Sequence, residues 1–215
     1  MILKIGSIGF NVSKLQSFLK ITADGDFGNN TAIALKTWQT NNSLTPDGIA
    51  GDLTIAKMDL NLSTPPIANM KTSIYGVKII EKFEGCILHA YVDPGTGGLP
   101  ITIGYGNTEY ADGSKIKLGD TLTQQQADTL LLNLIPRYEA IIKRNITVNL
   151  NQNQFDALLS FVWNTGGSKT LFSLINSNDA GVYNFWTTNY IKGGGVVMPG
   201  LVSRRKSEAD LFINV

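Results

Sequence analysis

The chain has little of what would tie it together covalently or hold a metal. Cys86 is the only cysteine among 215 residues, so no disulfide can form within the chain. It reads as a small apolar side chain rather than a reactive thiol, because no basic partner lies near it in sequence. His89 is also single. One histidine and one cysteine cannot build a zinc site, which excludes zinc-peptidase chemistry. An excess of one charge is missing too: 18 basic residues face 17 acidic ones, for a formal net charge of +1. Such a surface has no broad field to gather an anionic polymer. Nucleic acid is therefore not expected as the main partner, and any anionic ligand would be gripped locally. No apolar run approaches about 18 residues, so no stable membrane insertion is expected. The stretch Met1-Ile2-Leu3-Lys4-Ile5-Gly6 lacks the apolar core of a secretion signal, and the protein is expected to be made in the cytoplasm.

What is present is a normal globular balance, with 43% hydrophobic and 16% charged residues. This length allows one large domain, or one medium and one small. An internal repeat stands first. Asp24-Gly25-x-x-Gly28-x-x-Thr31 recurs as Asp47-Gly48-x-x-Gly51-x-x-Thr54. Asp-Gly marks a tight turn, the second glycine suits a positive φ, and the threonine suits a helix N-cap. Val12, Leu15, Phe18 and Leu19 fall at helical spacing upstream, and Ala34, Leu35, Trp38 and Leu44 supply apolar anchors between the copies. The pattern predicts a three-helix unit ending near Leu62.

Ser63-Thr64-Pro65-Pro66 reads as a stiff linker. Beyond it, Ser73 predicts an N-cap for a helix whose Val77, Ile80 and Phe83 share a face. A small β element follows. Thr123-x-x-Gln126 and Asn151-x-x-Gln154 are capping boxes opening two further helices. Pro136 falls inside the first of these and is a candidate kink. The second, Phe155 to Asn164, is apolar nearly all round, as a central buried helix should be, and Gly166-Gly167 should end it. A last helix is expected from about Ser203 to Phe212.

Three residues between the first of these helices and the strand carry the chemistry. Glu84 closes a helix, Asp93 sits on an Asp-Pro-Gly turn, and Thr102 opens the β-branched, glycine-rich run Ile101-Thr102-Ile103-Gly104-Tyr105-Gly106. Each has an ordinary reading alone: a solvated carboxylate, a turn former, a strand threonine. Together they are the equipment for cutting a glycosidic bond, with one acid to protonate the leaving oxygen and a polar set to hold water opposite. An apolar wall around Glu84 would keep it protonated as a general acid. Glu81, Glu109 and Glu139 read as surface charges. Arg204 and Arg205 could pair with Glu208 or Asp210 on their own helix.

This segment resembles the catalytic stretch of the phage-type lysozymes (glycoside hydrolase family 24). The likeness continues in Leu150 to Leu158, in Ser160-Phe161-x-x-Asn164-x-Gly166, and in Gly200-Leu201 through Arg204-Arg205-x-x-Glu208 to Phe212. Residues 1 to about 60 resemble the peptidoglycan-binding modules found beside cell-wall hydrolases, on Gly6, Gly9, Val12, Leu15, Gln16, Leu19, Phe27-Gly28, Trp38-Gln39 and the doubled turn. The resemblance implies that Glu84 is the acid and that Asp93 and Thr102 hold a water. It implies that an arginine of the last helix, Arg204 or Arg205, approaches the acid. Tyr105, Asn164 and Arg204 are candidate substrate contacts, with Trp163 more at home in the core. Two local departures stand out: eight residues separate Asp93 from Thr102 where the family commonly has five, which leaves Thr96 as a rival water holder, and Asn107 stands where the family often has histidine.

The resulting expectation is a mainly α (α+β) chain: a three-helix binding domain over 1–63, a linker over 64–70, and a lysozyme-like domain over 71–215 with a small β-hairpin lobe and a helical lobe. It would be an endolysin, an N-acetylmuramidase hydrolysing the β-1,4 bond between N-acetylmuramic acid and N-acetylglucosamine. It would work as a monomer on peptidoglycan without metal or organic cofactor. It would stay in the host cytoplasm until a holin lets it reach the wall. The rivals are a lytic transglycosylase acting on the same bond and a non-catalytic wall-binding protein.

Overall fold

A computed structural model describes residues 2–62, 65–92 and 98–213. Its first part holds three short helices, α1 (Phe10–Phe18), α2 (Asn29–Asn41) and α3 (Asp52–Lys57). Leu3, Val12, Leu15, Phe27, Leu35, Ala50 and Met58 form their core. The repeat is a structural one. The Gln16 amide donates to Asp24 Oδ1 (2.7 Å), the Asp26 carbonyl (2.9 Å) and Thr31 Oγ1 (3.0 Å), and Gln16 Oε1 accepts from Gly25 N (2.8 Å). Gln39, 23 residues further on, repeats every bond with Asp47, Ile49, Thr54 and Gly48. Two expectations are corrected here. The positive φ belongs to the first glycine of each copy, Gly25 and Gly48 (both +76°), while Gly28 and Gly51 are extended. Thr31 and Thr54 are not N-caps. The helices start before them, and their hydroxyls face inward because a buried glutamine amide needs acceptors.

After a 3-10 turn at Ile67–Asn69 comes α4 (Ile74–Glu84), capped by Ser73 Oγ, which accepts from the Tyr75 and Gly76 amides. Strands β1 (Ile87–Val92) and β2 (Ile101–Gly104) form an antiparallel hairpin lobe. Helix α5 (Gln124–Asn145) starts at the expected capping box and runs unbroken through Pro136. Helix α6 (Gln152–Thr165) starts at the second box and ends at Gly166, in the left-handed region at φ 77°. Residues Phe155 to Val162 are buried on every side of α6, which packs against α4, α5 and the final helix. Helices α7 (Lys169–Asn176) and α8 (Val182–Thr188) and the hairpin β3 (Lys192–Gly193) and β4 (Val196–Val197) complete the framework. Helix α9 (Pro199–Ile213) begins four residues earlier than expected. Among the described residues no helix is long and apolar enough to cross a membrane.

The two parts meet at α4 and at the start of α6. Lys78 Nζ donates to the Ala23 carbonyl (3.0 Å), and Asn153 Oδ1 accepts from Phe10 N (3.0 Å). A Cβ added to Gly25 would stand 2.2 Å from the Tyr75 ring, so the first repeat's turn is shaped to this helix. Glu139 is a third correction. It is buried, accepting from Thr72 N (2.8 Å) and Thr72 Oγ1 (2.9 Å), and pairs with Lys143 and Lys71. It pins the chain entering α4 to α5.

Beneath the start of α4 lies Asp156, fully buried on α6. Its carboxyl meets Ser73 N (3.1 Å), Ser73 Oγ (2.5 Å) and the Gln152 amide (3.0 Å). Burial pushes its pKa up to about 7, against the pull of the Ser73 and Gln152 hydrogen bonds. The folded value lies above the unfolded one, so the folded state holds this proton more tightly. Stability from that source is full below the unfolded value near pH ~4 and is lost as pH rises through about 7. Asp156→Asn can still donate to Ser73 Oγ and accept from Ser73 N. Urea unfolding from pH 4.5 to 8 should show the wild type losing stability relative to Asp156→Asn as pH rises. Parallel curves would remove Asp156 as the titrating group.

Candidate active site

Glu84 is the last residue of α4, and Gly85 follows at φ +65°, turning the chain at once into β1. Its side chain is 18% exposed. Gly106, just past β2, lies against it: a Cβ there would stand 3.4 Å from Glu84 Oε2, and φ is +77°. The left-handed backbone selects glycine here, while a Cβ would make only an ordinary contact with the carboxyl group. Burial raises the pKa of the Tyr138 phenol, and the nearby Glu84 charge acts in the same direction. The helix end, the strand turn and α5 thus converge on one carboxyl group.

The apolar seat expected for Glu84 is in fact partly ionic. Arg204 Nη1 donates to Glu84 Oε1 at 2.6 Å. The same guanidinium gives Nε to Glu208 Oε1 (3.0 Å) and Nη2 to the Ser160 carbonyl (3.0 Å), and it lies over the Phe83 ring. Glu208 has no exposed surface and is the hub. It also accepts from Ser160 Oγ (2.6 Å) and Trp186 Nε1 (3.1 Å), and its Oε2 is 3.2 Å from Arg205 Nε. Burial pulls the Arg205 pKa down to about 10, opposed by Glu208. Its guanidinium lies over the Phe161 ring (4.9 Å), and Nη2 donates to Asn164 Oδ1 (2.9 Å). Both arginines therefore pair with their own helix, and one of them also reaches the acid. The signal for this hub was the Arg204-Arg205-x-x-Glu208 spacing, which puts both cations one turn from the carboxylate.

Thr102 is buried on β2 opposite Tyr91, with Oγ1 3.4 Å from the Tyr91 carbonyl. Asp93 and Thr96 lie outside the described residues. Tyr105 is buried, its hydroxyl donating to Asp128 Oδ1 (2.7 Å) and accepting from the Gln124 amide (2.9 Å). Burial and Asp128 push its pKa well up, so it stays a neutral tie between the β2 turn and α5. Asn107 closes that turn: Oδ1 accepts from Tyr105 N (3.2 Å), and its backbone exchanges both bonds with Ile103. Asn164 is exposed at the end of α6, one oxygen on Arg205. Trp163 is half-buried against Tyr138 (4.5 Å between centroids). Cys86 is half-buried and takes a weak contact from Gln124 (3.7 Å).

Removing Glu208 would leave the buried Arg205 guanidinium without a carboxylate and Arg204 with Glu84 alone. Breaking a buried ion pair from one side costs about 3–5 kcal/mol. Glu208→Ala should therefore lower unfolding free energy by roughly that amount in urea titrations, with activity lost beyond what unfolding explains. A loss under about 1 kcal/mol would show that the hub is dispensable.

Comparison with known proteins agrees with this geometry. The phage lysozyme family model matches residues 81–208, and a peptidoglycan-binding domain model matches residues 11–58. The endolysin of Acyrthosiphon pisum secondary endosymbiont phage 1 is 32% identical over 151 residues, covering 66% of this chain and 98% of that protein. The endolysin of Bacillus phage PZA is 33% identical over 147 residues, 66% of this chain but 55% of that longer protein. Among solved structures, the endolysin from Escherichia coli O157:H7 phage FAHEc1 superposes with a TM-score of 0.60 at 32% identity, over 68% of this chain and 95% of that one. With the helix-end glutamate and its arginine partner placed beside the hairpin lobe, the chain belongs to the phage lysozyme family.

Proposed function

We propose that this protein is a modular endolysin, a glycoside hydrolase that cuts the β-1,4 bond between N-acetylmuramic acid and N-acetylglucosamine in bacterial peptidoglycan. The observation that carries the reading is Glu84 at the junction of α4 and the hairpin lobe, in contact with Arg204 and close to Gly106. Glu84 is the proton donor in this reading. A general acid must carry a proton, whereas an ion pair suits the ionised form, so the Arg204 contact belongs to the resting enzyme and opens when sugar enters. Arg204 can release Glu84 cheaply, because Nε and Nη2 stay paired with Glu208 and Ser160. Asp93 and Thr102 hold the water on the far face of the sugar, the carboxylate taking its proton and the hydroxyl fixing its orientation. Asn164, exposed beside this network, is the better placed of the remaining sugar contacts.

In the same reading residues 1–63 are the wall-binding domain, 64–70 the linker and 71–215 the catalytic domain. The enzyme acts as a monomer. It waits in the host cytoplasm for a holin to open the inner membrane, since no described helix would carry it across.

Glu84→Gln keeps shape but removes the transferable proton. Its activity on purified sacculi should fall by roughly 10²-fold or more while circular dichroism stays unchanged. Near-normal lysis would refute the assignment. A water held between the carboxyl groups needs about 6.5–9.5 Å and inverts the anomeric carbon. NMR of fresh digests should show the inverted anomer, and mass analysis should show water added. An anhydro-sugar product would identify a transglycosylase instead.

A further inference from the structure

The two copies of the repeat each enclose a depression on the face of the first three helices. The first, about 630 Å³, is lined by residues 16–31, and the second, about 410 Å³, by residues 39–54. Each lining residue of one has its counterpart 23 positions on in the other, so they are one site duplicated. The frame is the same in both, a buried glutamine holding an Asp-Gly turn.

The linings have diverged. Lys20, Asp26 and Asn30 of the first become Ser43, Ile49 and Leu53 in the second. Lys20 and Asp26 make no side-chain hydrogen bond or ion pair with another described residue. Lys20 is held at φ 58°, a backbone that lysine rarely adopts. The first depression thus counts an unpaired cation and an unpaired anion among its lining residues. Its turn is the one seated on α4, so whatever it holds is fixed to the helix that ends in Glu84.

We infer that the first depression is the wall-recognition site of this protein and that it takes the peptide stem, a short peptide with a free carboxylate and a side-chain ammonium, rather than the sugar. This rests on the wall-binding reading given above and goes further by naming the site and the ligand chemistry. A free cation and a free anion on one lining match a zwitterion. A sugar site would offer an aromatic platform for the apolar face of the ring, and no residue lining this depression is aromatic. The second copy, having lost the lysine and gained isoleucine and leucine, keeps the frame and not the recognition.

The test titrates the isotope-labelled full chain with L-alanyl-γ-D-glutamyl-L-lysyl-D-alanine and, separately, with chitotetraose, following backbone amides by NMR. The tetrapeptide should shift amides around residues 20–30. Lys20→Gln and Asp26→Asn are exposed changes that preserve size. Each should weaken the peptide by about tenfold, the scale of one charge-assisted contact. Ile49→Asn, in the second copy, should leave it unchanged. Unaltered peptide binding in both first-copy variants, peptide shifts centred on residues 43–53, or chitotetraose in the first depression would overturn the assignment. Sedimentation with purified sacculi separates this failure from a deeper one. A chain that still sediments has merely a different site, whereas a wild type that does not sediment would refute wall binding itself.

Discussion

Everything around the catalytic cleft depends on one buried carboxylate, Glu208, held between two buried guanidiniums. A charge without surface exposure must be paired and hydrogen-bonded or it cannot stay ionised. Glu208 meets that demand with Arg204 and Arg205 from its own helix, Ser160 from α6 and Trp186 from α8. The partners come from three helices, so the requirement fixes α9 against α6 and α8 in one register. It also decides where Arg204 ends, with one arm left over for Glu84. The guanidinium that serves the structural network also contacts Glu84, while its other two arms stay paired with Glu208 and Ser160.

The first three helices solve a smaller version of this problem twice. A short unit with few core residues cannot rely on apolar burial alone. A glutamine amide, buried and fully used, fastens the turn to the helix in each copy. The frame is thereby independent of the surface it carries, and the two surfaces have been free to differ. The first copy's turn meets Tyr75 and Lys78, while a Cβ at the second copy's Gly48 would first meet its own module's Lys36 and the Ala32 carbonyl.

Local chemistry was well legible in the chain. The capping boxes at Thr123 and Asn151, the Ser73 cap and the Gly166 stop all fall where their sequences place them, because each involves residues within one turn of each other. The errors about side-chain environment share one cause. Thr31 and Thr54 were read as caps, Glu139 as a surface charge and Glu84 as walled by apolar groups. In each case the partner lies elsewhere: Gln16 and Gln39 on the preceding helix, Thr72 across the fold, Arg204 on the last helix.

The sequence by itself determined the mainly α class with a β hairpin, the repeated turn, the capped starts of α4, α5 and α6, and a carboxyl group at the junction of α4 and the hairpin. These follow from spacing, turn residues and apolar periodicity, which operate over a few residues. The tertiary structure alone decided that Arg204 rather than Arg205 reaches Glu84, that Tyr105 is a buried tie, and that one repeat faces the catalytic helix while the other does not. Those outcomes depend on which distant groups burial brings together, and on the rule that a polar atom removed from water must find its partner among them.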